Sequence, residues 1–203
     1  MLPKSLERTI EALGHLPGVG VRSAERYATY LLKADPEISH QIATALENLH
    51  DGVKLCPYTF ALIDSTETVS ALYDDSDRDK TTVLVVESPL DIVAIERTRA
   101  YTGTYHVLGG VISPIDGITP EKLHINELIE RVKRDHVDEI IIATNPSVEG
   151  ESTAVFLNKI ITEQYPDSAI KITRLARGLP LGTTLEYADQ ITLDAALKNR
   201  TKL

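Results

Sequence analysis

TTVLVVESPLDIV, from Thr81 to Val93, is the stretch whose reading decides the fold. Residues 81–87 form a short apolar run closed by Glu87, the pattern of a strand buried on both faces. The period then changes at once. Ser88 reads as a helix N-cap, and Pro89 suits the first helical position because an N–H there would have no partner. Asp91 places negative charge in the first turn, near the free N–H groups. A buried strand therefore runs straight into a capped helix.

The same alternation continues toward the C-terminus. YHVLGG (105–110) is a strand, followed by a helix through Leu128, Ile129 and Val132. EIIIATN (139–145) is a second buried strand, answered by a helix through Val155, Phe156, Ile160 and Ile161. KITRLA (171–176) is a further strand, and Thr192 to Lys198 a last short helix. Apolar strands alternating with amphipathic helices predict an α/β fold, a mostly parallel sheet with helices on both faces. Toward the N-terminus the pattern differs. Residues 53–80 are polar, acidic and irregular, with short alternating runs able to pair as small strands. Residues 1–52 read as all helix, with helices from Ser5, from Val21, and from about Ile38 through Ile42, Leu46 and Leu49. Three segments thus emerge, 1–52, 53–80 and the strand–helix alternation from Thr81 onward. No internal repeat or low-complexity tract interrupts them.

The turn between the first two helices reads LPGVGVRSAER, Leu16 to Arg26. Two glycines one residue apart permit positive φ and close backbone approach. The next helix begins with uncommitted N–H groups facing the turn, a ready place for a phosphate. Arg22 and Arg26, four apart, share one helix face. This is the pattern of a helix–hairpin–helix, which binds DNA through Gly18, Gly20, Arg22 and Arg26 without regard to sequence. An ordinary corner between two helices would carry the same turn.

At 203 residues, 42% of them hydrophobic and 25% charged, the chain has the composition of a soluble globular protein of one large or two small domains. No apolar run approaches the roughly 18 residues of a membrane span. The start, MLPKSLERTI, lacks the apolar core of a signal peptide. A single cysteine gives no disulfide framework and fits a reducing cytoplasm. Charge runs against DNA binding by a lone chain. The net charge is −9, and residues 1–52 hold five basic and seven acidic side chains. Only residues 171–202 are basic, with six positive and three negative side chains. A DNA binder of this composition must gather its positive charge in space, through oligomerisation.

Function in a parallel sheet gathers at the carboxyl ends of the strands. Two of these ends are acidic here: Glu87 with Asp91, and Glu149 with Glu151. Acids on neighbouring strand ends are what a Mg²⁺-dependent phosphoryl-transfer site needs. The pattern resembles the Toprim domain of topoisomerases and primases, which carries Glu after one strand and Asp-x-Asp after a later one. Here the later pair is Asn145-x-Ser147, neither of them ionised. Tight metal binding and catalysis are therefore not expected, although weak Mg²⁺ at the acids stays open. The alternative is an active Mg²⁺-dependent primase or nuclease using Glu87, Asp91 and Glu149. No GxxxxGK[ST] occurs, which removes a P-loop nucleotide switch. The six histidines show no metal-ligand spacing, and GLPLG (178–182) reads as a strand-end turn.

Five stretches in order, Met1–Arg26, VVESPLDIVAIERT (85–98), YHVLGGVISPIDGI (105–118), ATNPSVEGE (143–151) and TRLARGLPLGTTLEYAD (173–189), resemble the RecR family of bacterial recombination mediators. The resemblance runs over nearly the whole chain. It implies four parts: a helix–hairpin–helix domain (1–52), a small zinc module (53–80), a Toprim domain (81–175) and a C-terminal segment for subunit contacts (176–203), with a region like a nucleotide site near GLPLG. It also implies a non-enzymatic homo-oligomer, dimer to tetrameric ring, that clamps DNA. Such proteins act with RecO and RecF to help load RecA at single-stranded gaps coated with single-strand-binding protein. On that basis Glu87, Asp91 and Glu149 form an acidic surface for RecO, the alternative being a solvated strand end. Family members commonly carry Lys where this chain has Arg22, and both bind phosphate.

The departure lies in the middle. The family's four zinc cysteines fall on Cys56, Thr59, Ser70 and Tyr73, and only the first is a thiol. No zinc is expected. An apolar cluster of Phe60, Leu62, Ile63, Val69, Leu72 and Tyr73 is expected to order the segment instead. Cys56 then reads as a buried small hydrophobe or as a reactive thiol.

Overall fold

The computed structural model describes residues 2–166 and 168–200. Met1, Asp167 and residues 201–203 lie outside them, and with these the ends of the first and last expected segments and Lys202 of the basic stretch. The chain divides into two units, Met1–Lys54 and Leu55–Leu203.

The first unit is helical: α1 (Lys4–Gly14), α2 (Val21–Lys33) and α3 (Pro36–Gly52). α1 packs on α2, whose buried residues are Ala24 and Ala28, one turn apart. Small side chains at these two positions let the helices approach closely. α3 starts two residues before the periodicity suggests, because Asp35 caps it, accepting the Glu37 N–H at 3.0 Å, and Pro36 fills the first helical position. Its apolar Ile42, Leu46 and Leu49 stand exposed along one stripe.

After α3, β1 (Val53–Leu55) and β2 (Leu62–Asp64) make a short ribbon, followed by the one-turn helix α4 (Ala71–Asp74). The elements that follow are β3 (Asp79–Val86), α5 (Pro89–Glu96), β4 (Gly103–Val107), α6 (Ile125–Arg134), β5 (Glu139–Ile142), α7 (Val148–Gln164), β6 (Lys171–Arg174) and α8 (Gln190–Lys198). The four long strands form one parallel sheet in the order β4-β3-β5-β6. The expected α/β class, with an all-α N-terminal part, is what the chain adopts.

Alternation along β3 splits the core. Val83 and Val85 face one side with Ile140, Ile142, Leu128, Val132, Leu157 and Ile161, so α6 and α7 cover that face. Leu84 and Val86 face the other side with Ile92 of α5, Tyr105, Val107 and, from the irregular segment, Phe60, Ala61 and Leu72. Each fully buried aliphatic side chain contributes about 1.5–3 kcal/mol. The irregular segment is thus part of the sheet's second cover. Its Thr59 carbonyl also accepts the Val107 N–H at 2.8 Å, closing the exposed edge of β4. The apolar cluster expected there forms only in part. Ile63 is buried, but Leu62 is 52% exposed because adjacent strand residues face opposite ways. Cys56, Thr59, Ala61 and Ser70 fill the interior instead. Among the described residues no helix is long and apolar enough to cross a membrane.

His106 on β4 is fully enclosed. Its Nε2 lies 2.7 Å from the His124 carbonyl oxygen, which only accepts, so Nε2 carries the hydrogen. Nδ1 is a buried acceptor with no partner among the described residues. Burial drives the pKa down to about 3, against the opposing pull of the His124 carbonyl. The folded ring is neutral, whereas the unfolded ring takes up a proton near pH 6.5. Stability is therefore expected to fall as pH drops below about 6.5, by up to about 1.4 kcal/mol per pH unit. Melting curves from pH 7 to pH 5 check this. A flatter dependence is expected for His106→Phe, which gains no proton in either state.

Candidate nucleic-acid interface and acidic strand ends

The hairpin between α1 and α2 is built on one left-handed residue. Gly18 has φ +78°, and the Val19 N–H closes the turn on the Leu16 carbonyl at 3.0 Å. Gly20 does not share that conformation. It is the N-cap of α2 with φ −79° and ψ 170°, a region open to any residue, so only one of the two glycines is required by backbone geometry. Gly20 brings no side chain to cap the helix. The N–H groups of Gly18, Gly20, Val21 and Arg22 have no acceptor among the described residues. Arg22 and Arg26 are both exposed, and neither forms an ion pair there. The Arg26 guanidinium sits 5.3 Å from the Tyr27 ring centre. Four open donors and two free cations at a positive helix end make a surface for anionic oxygen.

The acidic strand ends are arranged differently from a metal site. Glu87 leaves β3 beside β5, and both its oxygens are occupied. One accepts the Asn145 main-chain N–H at 2.6 Å, the other the Asn145 side-chain amide at 2.8 Å. An ionised residue at 145 would repel Glu87 and call for a cation between them; the amide supplies its own positive hydrogens. Ser147 caps α7 by accepting the Gly150 N–H at 2.9 Å. The turn is so tight that a Cβ on Gly150 would lie 2.1 Å from the Asn145 carbonyl oxygen. Asp91 closes a capping box, accepting the Ser88 N–H at 2.8 Å. Glu149 is half-buried in the first turn of α7, with no side-chain partner among the described residues. There, no three His, Cys, Asp or Glu side chains converge as metal ligands.

A feature that the sequence left unpaired lies beside this loop. Glu151 binds two arginines of the basic C-terminal stretch, Arg174 at 2.5 Å and Arg177. With Lys198, Arg200 and Asp194 these arginines line a cavity of about 500 Å³ between β6 and α8. Local pattern could not pair Glu151 with cations more than twenty residues away.

Comparison with known proteins decides the family. The chain is 43% identical over 203 residues to the recombination protein RecR of Thermobifida fusca, covering 100% of this chain and 99% of that one. The chain belongs to the RecR family. The RecR of Paenarthrobacter aurescens is 44% identical over 200 residues, 98% of each chain. That of Myxococcus xanthus is 42% identical over the full length of both. Family models for the RecR helix-hairpin-helix, the Toprim domain and the RecR C-terminal region match residues 6–50, 81–176 and 178–201. The open hairpin thus falls inside the RecR helix-hairpin-helix match, and the Glu87–Asn145 clamp inside the Toprim match.

Proposed function

We propose that this RecR-family protein is a DNA-binding recombination mediator with no catalytic chemistry of its own. The observation that carries the reading is the hairpin, with its uncapped helix end and with Arg22 and Arg26, which have no ion-pair partner among the described residues, on one exposed face. Those groups suit the spaced oxygens of a phosphate backbone, and contacts to phosphate carry no base information, so binding through them is indifferent to sequence. The Glu87–Asn145 clamp supports the non-catalytic part, because a carboxylate already accepting two amide hydrogens is a poor metal ligand.

The chain works as a homo-oligomer, dimer to tetrameric ring, acting in the cytoplasm with RecO and RecF to help load RecA at single-stranded gaps. The exposed stripe of Ile42, Leu46 and Leu49 on α3 supports self-association, and assembly concentrates the few cations of a chain whose net charge is −9. Glu87, Asp91 and Glu149 give the Toprim end its negative face for RecO. Of the three, Glu149 is the one to change, since Glu87 and Asp91 also hold a loop and a helix cap. Glu149→Lys is expected to weaken co-purification with RecO, most strongly at low salt, while leaving DNA affinity within about twofold of wild type, because a charge reversed opposite a basic partner slows association and repels it. Full retention of RecO by that variant would remove the acidic face from the proposal.

A further inference from the structure

The zinc module that the RecR resemblance implies does not fit the residues present. Thr59 and Ser70 offer neutral hydroxyls where zinc takes thiolates, and the Tyr73 hydroxyl is already spent, donating to Asp135 Oδ1 at 3.1 Å. One thiol, Cys56, remains of four ligands.

Yet the two knuckles that a metal would join, residues 56–59 and 70–73, are joined. Inside, the Cys56 sulfur accepts the Ser70 N–H at 3.3 Å across the two knuckles, while the Cys56 N–H closes the first knuckle on the Ala61 carbonyl at 2.8 Å. Outside, each knuckle contributes one tyrosine. The Tyr58 and Tyr73 rings stack with centres 5.3 Å apart and planes 24° apart. The stack rests on cations. Arg134 lies 4.6 Å from the Tyr58 ring centre, Arg131 5.2 Å and Lys80 4.7 Å from that of Tyr73. Asp135 ties the cations to the stack, accepting from Arg131 at 2.9 Å, from Arg134 at 2.8 Å and from the Tyr73 hydroxyl. Burial and the neighbouring Asp135 raise the Tyr73 pKa, so its hydroxyl stays a donor.

We infer that this segment is a metal-free finger, in which the Tyr58–Tyr73 stack and the Arg131–Asp135–Arg134 clamp at the C-terminal end of α6 do the joining that the family resemblance assigns to zinc. The finger is thereby insensitive to chelators. Thiol oxidants have little to act on either, because its single sulfur is 0% exposed. Its order depends instead on α6. The inference concerns these side chains alone and stands apart from DNA or RecO binding.

The test uses the full chain, purified without chelator. Elemental analysis is expected to find under about 0.1 zinc per chain, and a chelator to leave the melting temperature unchanged. Hydrogen exchange then reads the joint. In Tyr73→Ala, the amides of Cys56, Phe60 and Ser70 are expected to exchange at least about tenfold faster, while those of Val83 and Val85 stay as in wild type. Tyr58→Leu, at a partly exposed position, is expected to give several-fold faster exchange at the same amides. It also carries the test if Tyr73→Ala does not fold. About one zinc per chain, a chelator-induced fall in melting temperature, or wild-type exchange in Tyr58→Leu would each overturn the proposal.

Discussion

Arg131→Met is expected to cost about 3–5 kcal/mol of stability, because the Tyr105 carbonyl and the Thr104 hydroxyl lose this donor in a buried place and Asp135 keeps only Arg134 and Tyr73. Arg131 is 0% exposed although it sits on α6, where an arginine in the last turn reads as a surface residue. Its guanidinium makes three separate attachments: Asp135 at 2.9 Å, the Tyr105 carbonyl at 2.5 Å and the Thr104 hydroxyl at 2.6 Å. Methionine fills most of the volume but makes none of these bonds. Arg131→Lys should recover little, because one ammonium cannot serve three acceptors spread around a planar fork. For a chain of this size the loss corresponds to a fall of about 10 °C in melting temperature.

Burial pushes the Asp135 carboxyl up, but hydrogen bonds from Arg134 and Arg131 outweigh it and hold the pKa below the ordinary carboxylate value. The contribution of the cluster is therefore complete above about pH 4, and is lost as pH falls through the folded value. In denaturant titrations the gap between wild type and Arg131→Met is expected to narrow as pH falls through the folded value of Asp135 but not to close, because the bonds to the Tyr105 carbonyl and the Thr104 hydroxyl do not titrate. A loss under about 1 kcal/mol at pH 7 would put this cluster in the class of exposed ion pairs and contradict its burial.

Arg22→Ala combined with Arg26→Ala is expected to weaken DNA binding on the order of 50-fold per chain at 0.1 M salt. Each phosphate contact contributes about 0.9 to the slope of log affinity against log salt, so removing two flattens that slope by about two. The loss should be the same for every DNA sequence, since phosphate contacts carry no base information. Both side chains are exposed and, among the described residues, free of ion pairs, so the helical content and native mass of the variant should match wild type. Fluorescence anisotropy across salt concentration measures affinity and slope together. An unchanged slope would take the hairpin out of the DNA contact, whatever happened to affinity at one salt concentration.

Where structure is written locally, the sequence carried it. Ser88, Pro89 and Asp91 announce a helix start, and the capping box forms on those residues, because a cap is satisfied within four positions. The apolar runs at 81–86 and 139–142 become the two central strands, since a strand buried on both faces admits almost nothing else. Asp35–Pro36 was equally local, yet a reading by apolar periodicity from Ile38 passes over it.

The site was less legible, for a physical reason. Glu87 and Asn145 are 58 residues apart, and Tyr73 and Asp135 are 62 apart. Each pair is brought together by the fold and not by its neighbours in sequence. A carboxylate at a strand end looks the same whether it awaits a cation or already holds an amide. Gly18 and Gly20 look alike in the sequence, and only the backbone distinguishes the one that must be glycine from the one that need not be.

The central claim, a DNA-binding mediator without chemistry of its own, is tested most directly by RecA loading. RecA filament formation is followed on gapped DNA coated with single-strand-binding protein, in Mg²⁺, with RecO present and this chain added or withheld. The DNA is recovered afterwards and sized. The expected result is faster filament formation with the chain present, loss of that gain in the Arg22→Ala, Arg26→Ala variant, and DNA of unchanged length. Filament formation at the same rate with and without the chain, or DNA that returns cleaved or extended, would contradict it.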